Sequence, residues 1–184
     1  MLFKNIQIII LFLLLISYSY CKGPDKPDSL PVIQEEPMKT KEELTRDLKS
    51  ANFYERSQAI VEIAKTKDNS FLPEIRNLLK KDPNPAVKGS AAIALGEFGD
   101  TVSTPDIINL FKDKDISTDT VLDALTRMKD PSAVNSIIPY LDSNEHTYRL
   151  LAVEALSTIG SSSGGDKIIS MASANKDFEK AKTY

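Results

Sequence analysis

Residues Pro83 to Asp115 read PNPAVKGSAAIALGEFGDTVSTPDIINLFKDKD, and the fold is decided there. The first half sets Val87, Ala91, Ala92, Ala94, Leu95 and Phe98 three and four residues apart. That is the spacing of one helix face, and because most of these residues are small, the face can approach a neighbour closely. Asn84 ahead of Pro85 supplies an N-cap followed by a proline at the first helical position, and Gly99-Asp100 supplies a stop. Thr104-Pro105 repeats the cap-and-proline signature. Ile107, Ile108, Leu110 and Phe111 then form the apolar stripe of a second, antiparallel helix, so the unit is a helical hairpin.

Sliding the chain along itself brings the hairpin back. Leu95 falls on Ile63, Leu125 and Leu156, at successive offsets of 32, 30 and 31 residues. Four places before these anchors stand Ala59, Ala91, Val121 and Ala152; three places after stand Thr66, Phe98, Met128 and Ile159, of which only Thr66 breaks the apolar pattern. Asp68, Asp100 and Asp130 follow five places after their anchors, with Ser161 in the fourth copy, and Gly99 matches Gly160 one place earlier. Self-similarity at about 31 residues is the mark of a solenoid, in which each unit buries its apolar face against its neighbours.

The segments PAVKGSAAIALGEFGD and, more loosely, YERSQAIVEIAKTKD, VLDALTRMKD and TYRLLAVEALSTIG resemble HEAT repeats, in particular the short bacterial variety also found in phycobilisome lyase-like proteins. The resemblance spans roughly Glu42 to Lys176 and implies an all-α, right-handed α-solenoid of about four hairpins. The family's basic position in the first helix is Lys88 here, with Arg56 and Arg149 in copies one and four; copy three has Thr118 and is degenerate. HEAT arrays serve unrelated activities, so the resemblance carries a fold and no lyase activity.

The N-terminus is a different kind of sequence. Lys4 precedes an unbroken apolar run from Ile8 to Ile16, and the only cysteine, Cys21, closes residues 1–21. A run of this length suits a secretory signal better than a bilayer-spanning helix, which needs about 20 residues. The arrangement resembles a bacterial lipoprotein signal, which implies that Cys21 is lipidated and becomes the mature N-terminus. Tyr18, Ser19 and Tyr20 stand where small residues usually precede such a cysteine, so two alternatives stay open: an uncleaved anchor from Leu2 to Tyr20, or ordinary cleavage with an idle thiol. All three export the folded part.

Residues 22–40, KGPDKPDSLPVIQEEPMKT, interleave Pro24, Pro27, Pro31 and Pro37 with charges and carry no period. Such a stretch is expected to be an extended, disordered tether reaching at most roughly 60 Å in polyproline II. The repeat domain then occupies 41–184. Thr40 and Glu43 make a capping box for a short helix with Leu44 and Leu48 facing inward. Repeat one places helices over Tyr54 to Ala64 and Phe71 to Lys80. Repeat three runs from Thr118 to Leu141, with Asp130-Pro131 restarting the helix and Pro139 kinking it or ending its regular part. Repeat four runs from Thr147 to about Ala174 through the turn GSSSGGD, and Asp177 to Tyr184 is a charged end.

Composition narrows the function. The net charge of -3 is interspersed along the chain, so no basic footprint for nucleic acid appears, and one cysteine gives no intramolecular disulfide. GSSSGGDK, from Gly160 to Lys167, fails as a phosphate loop because Asp166, an anion, follows the glycine where lysine is required. Asp113, Asp115, Ser117 and Asp119 alternate like a calcium loop, but Thr118 and Ala124 occupy the places of the obligatory glycine and glutamate. His146 has no second histidine or thiol beside it, so no metal set forms. The Ser173 to Lys176 spacing lacks the accompanying motifs of the penicillin-recognising enzymes.

No metal, cofactor or catalytic residue is therefore expected, and the reading is a non-enzymatic protein-binding or assembly module of the bacterial cell envelope, tethered to a membrane through Cys21. Tyr54, Tyr140 and Tyr148 are of a type favoured at interfaces, with packing between repeats as the alternative. Second helices line the concave surface of HEAT arrays, which points to Glu74, Asn77, Lys81, Asp106, Asn109, Asn135 and Tyr140 as a polar strip for a protein or peptide partner. The rival readings are a lyase-like accessory or enzyme subunit and a surface lipoprotein that binds host molecules.

Overall fold

The computed structural model describes residues 38–160, 164–166 and 169. The signal segment, Cys21, the tether through Pro37, most of the second helix of repeat four and the charged end lie outside the described residues.

Helix α1, Lys41–Asp47, starts at the expected capping box: the Glu43 amide donates to the Thr40 hydroxyl and the Thr40 amide to the Glu43 carboxylate. Leu44 and Leu48 are buried beneath it. Just before it, Lys39 pairs with Asp47 at 3.0 Å and with Glu62 at 3.5 Å, so the last residues of the predicted tether already touch the repeats. Repeat one then supplies α2, Phe53–Thr66, and α3, Leu72–Lys81. Repeat two supplies α4, Pro85–Phe98, and α5, Thr104–Asn109; repeat three supplies α6, Thr118–Met128, and α7, Val134–Ile137. Helix α8, His146–Ile159, is the first helix of repeat four. No strand occurs among the described residues, and the fold is a helical solenoid.

The first helices follow the sequence closely. Anchors Ile63, Leu95, Leu125 and Leu156 are buried, as are Ala59, Ala91, Val121 and Ala152 one turn earlier. Helix α4 lies between α2 and α6 and packs on both. Gly96 sets the spacing to α6: a Cβ there would stand 2.5 Å from the Ala124 carbonyl oxygen, closer than atoms can pack. Each first helix ends in a left-handed residue, Lys67, Gly99, Lys129 and Gly160, with φ of 55°, 66°, 57° and 74°. The two glycines are legible as stops. The two lysines are not, because a non-glycine residue enters this region only at a cost of about 1 kcal/mol or more.

The second helices depart from expectation. Thr104 is not the N-cap of its helix: a 3₁₀ turn, Thr101–Ser103, follows Asp100 and runs straight into α5. The Thr104 hydroxyl is turned inward instead, donating to Asp130 at 2.5 Å and lying 2.9 Å from the Met128 sulfur. A turn of the same kind opens α3 at Asn69–Phe71 and α7 at Pro131–Ala133, each capped by the aspartate before it, Asp68 or Asp130. In repeat three the regular helix is only Val134–Ile137, and Ile138–Asp142 winds as 3₁₀. Pro139 ends the regular part, as its missing N–H requires.

Candidate binding groove on the first helices

Two ladders of polar contacts hold the hairpins in register, one along the hairpin turns and one along the passages between repeats. At the hairpin turns, Lys41 pairs with Asp68 at 3.3 Å, Arg76 Nε donates to Asp100 at 2.8 Å, and Thr104 donates to Asp130. The Arg76 guanidinium holds the Asp100 carboxyl below its ordinary range against the opposing effect of burial, and the Ser103 hydroxyl helps. Burial pushes the Asp130 carboxyl up, but bonds from the Thr104 hydroxyl and the Ser132 amide outweigh it and hold the group below its ordinary range.

At the passages between repeats, Arg56 Nε and Nη2 grip both oxygens of Asp82 at 2.7 and 2.9 Å. The pair is buried, and Arg56 also donates to the Ser50 and Ala51 carbonyls. Burial opposes ionisation of Asp82, yet Arg56 and the Asn84 amide hold its pKa below the ordinary value. The family-type basic position thus ties one repeat to the next: Lys88 reaches Asp113 at 3.4 Å, and Arg149 donates to the Ser143 and Asn144 carbonyls at 2.7 and 3.0 Å. Thr118, in the degenerate copy, has no charge to offer. His146 is exposed at the start of α8, its Nδ1 lying 3.2 Å from Arg149 Nη2.

The predicted second-helix strip is placed as follows. Glu74, Asn77, Lys81, Asn109 and Asn135 are exposed. Asp106 is half-buried and pairs with Lys80 at 3.0 Å, and Asn109 accepts from Lys112 at 3.2 Å. Tyr140 is half-buried and stacked on Phe111, their ring centroids 4.6 Å apart, so its aromatic face is spent on packing; burial raises its pKa. Tyr148 also packs on the core, whereas Tyr54 is 61% exposed.

A groove lies elsewhere, on the solvent side of the first helices. It is open, with a volume of about 780 Å³, and has α4 as its floor, through Ala86, Gly89, Ser90, Ile93 and Ala94. Val61, Ala64 and Lys65 of α2 form one wall; Ile116, Ser117 and Thr120, at the entry to α6, form the other. Lys67 and Glu97 stand at one end, already joined at 3.1 Å, and Asp115 stands toward the other. Lys67 and then Arg127 hold the Glu97 carboxyl below its ordinary range. The lining is apolar and small, suited to close contact with another apolar surface. Among the described residues no group of three His, Cys, Asp or Glu side chains is placed to hold a metal.

No motif marks this groove, although the repeat register carries a signal of it. Two places before the anchors stand Val61 and Ile93 in copies one and two, against Asp123 and Glu154 in copies three and four. An apolar residue at a solvent-facing register position is the trace that would have found it.

Comparison with known proteins places the fold. A model of HEAT repeats matches residues 42–119. The epoxyqueuosine reductase of Bacillus subtilis (strain 168) is 43% identical over 58 residues, which is 31% of this chain and 15% of the reductase. Among solved structures, the complex of CpcE and CpcF of phycocyanin lyase from Nostoc sp. PCC7120 is similar at a TM-score of 0.58 and 20% identity, over 74% of this chain and 59% of that one. The chain thus spans a small part of the curated relative's length, and what it shares with the lyase structure is fold. With the repeat register and the buried anchors, these likenesses show a helical solenoid that resembles HEAT-repeat folds, with HEAT repeats matched over residues 42–119.

Proposed function

We propose that the protein is a non-enzymatic, protein-binding scaffold of the bacterial cell envelope, held at a membrane by lipid on Cys21, with its partner seated in the groove of repeats one to three. The observation that carries the reading is the groove itself: apolar and small side chains on α2, α4 and α6 in a solenoid, an architecture whose extended surfaces serve binding. The tether is supported by sequence alone, through Lys4, the run from Ile8 to Ile16, the lone Cys21 and the proline-rich stretch after it. Two lipid signals are needed for stable attachment, and a fully processed lipoprotein cysteine carries more than one chain. The second reading is a lyase-like accessory subunit, favoured by the likeness of fold to a two-protein lyase complex.

The test is affinity capture of the full chain from membranes, with Ile93→Asp and Asn109→Asp beside the parent. A partner lost with Ile93→Asp and kept with Asn109→Asp supports the groove. A partner lost only with Asn109→Asp moves the site to the second-helix strip, and a small molecule retained in the groove in place of a protein favours the accessory-subunit reading. Labelled fatty acid should enter the parent and not Cys21→Ser; a parent that never takes label and retains Met1 eliminates the lipid tether.

A further inference from the structure

We propose that the groove is the seat of one amphipathic helix of a partner protein, about three turns long and parallel to α4, with a basic side chain over Asp115 and an acidic one over Lys65. The inference rests on the reading of the groove as the binding surface and adds the shape, direction and charge of what fills it.

Helix α4 carries apolar or small residues toward both the core and the groove: Val87, Ala91 and Leu95 face the core, Ala86, Ser90 and Ile93 line the groove, and its two charges, Lys88 and Glu97, are paired with Asp113 and Lys67. A helix apolar on two faces belongs in an interior, so the groove face lacks a cover. Helix α6, in the same register, shows Asp123 and Arg127 on that face, paired with each other at 2.9 Å, and needs none. The floor of small residues lets a second backbone come close, as Gly96 lets α6 approach from the other side. From Ala86 to Glu97 the floor is about 16 Å long at 1.5 Å per residue, the length of three helical turns.

Charge sets the direction. Lys67 and Glu97 satisfy each other, whereas Lys65 on the last turn of α2 and Asp115 ahead of α6 are exposed and form no ion pair among the described residues. The groove therefore presents a free cation at one end and a free anion at the other. A helix lying with its N-terminus at Asp115 and its C-terminus at Lys65 matches both charges with its own dipole. That is also the direction of α2, α4 and α6, so the occupant continues the layer of first helices.

The test uses two synthetic helical peptides of about fourteen Ala, Leu and Gln residues that differ only at their ends, one Arg-first and Glu-last, the other with Gln at both places, bound to the full-length protein by fluorescence anisotropy. The charged peptide is expected to bind about fivefold more tightly, the worth of two exposed ion pairs. Lys65→Glu, which leaves an anion at both ends, should remove the preference, and high salt should shrink it. A photoreactive residue beside the peptide's Arg should crosslink ahead of α6, near Asp115. Equal affinities, no binding of either peptide, a preference untouched by Lys65→Glu, or a crosslink to the last turn of α2 overturns the proposal. A partner still lost with Ile93→Asp while the peptides show no preference overturns the helix and leaves the groove. Self-association of the chain abolished by Ile93→Asp makes the occupant a second copy and also overturns it.

Discussion

Helices α4 and α6 bury their anchor leucines, Leu95 and Leu125, at the same place in the stack, yet two residues earlier one carries Ile93 and the other Asp123. Toward the core both helices obey one requirement, since each must interlock with the neighbours before and after it. Toward solvent they are free to differ. On that side α4 supplies the groove floor, with Val61 and Ile116 beside it, where α6 carries the paired Asp123 and Arg127.

The largest effects should fall equally on both helices. Leu95→Ala and Leu125→Ala each remove a buried anchor, and each is expected to cost about 2 to 5 kcal/mol in equilibrium denaturation. A loss confined to one of them would break the shared register. Next comes the contact between the helices: Gly96→Ala drives a Cβ into the Ala124 carbonyl and should cost about 1 to 3 kcal/mol. The equivalent change in α6, Thr126→Ala, removes only a hydroxyl bonded to the Leu122 carbonyl and should fall within about 0.5 kcal/mol.

The helix ends sharpen the comparison in opposite directions. Gly99→Ala places a side chain in the left-handed region and should destabilise by about 1 kcal/mol, whereas Lys129→Gly removes the same penalty and should stabilise by a similar amount. Melting temperatures that move the same way in both variants would contradict this account of the caps.

Acid should find the two repeats through the aspartates of their turns. Asp100, held down chiefly by Arg76, and Asp130, held down by Thr104 and Ser132 against burial, both have folded pKa values below the ordinary one. Their contribution is therefore present above the ordinary carboxylate range and lost as pH falls through it. Stability measured from about pH 6 downward should decline toward pH 3, and Asp100→Asn should flatten part of that decline by removing one titrating group. A parent equally stable across this range would contradict it. The smallest effect belongs to the outer face, where Ile93→Asp should change stability by less than about 1 kcal/mol while emptying the groove of its partner.

How much of this was legible follows the same division. Helix α4 was readable because a capping asparagine, a proline, a stop glycine and six core-facing residues agree with one another. The second helix of repeat two was misread at its start, since Thr104-Pro105 has the chemistry of a cap and tertiary contact with Asp130 took the hydroxyl instead. Left-handed Lys67 could not be foreseen for a similar reason: its amine bonds the Glu97 carbonyl at 2.9 Å, in the next repeat. For binding, the second-helix strip came from a family habit, and within it Tyr140 stacks on Phe111. The groove needed a comparison of outward positions between copies, because its residues carry no reactive chemistry and form no motif.

The most direct measurement is site-specific photo-crosslinking of the full-length protein in the cells that make it, with the photoreactive residue at Ser90 in the groove floor or at Asn77 on α3. The account predicts a discrete protein adduct from Ser90, lost when Ile93→Asp is added, and none from Asn77. An adduct from Asn77 with none from Ser90 would contradict it and return the binding surface to the second helices.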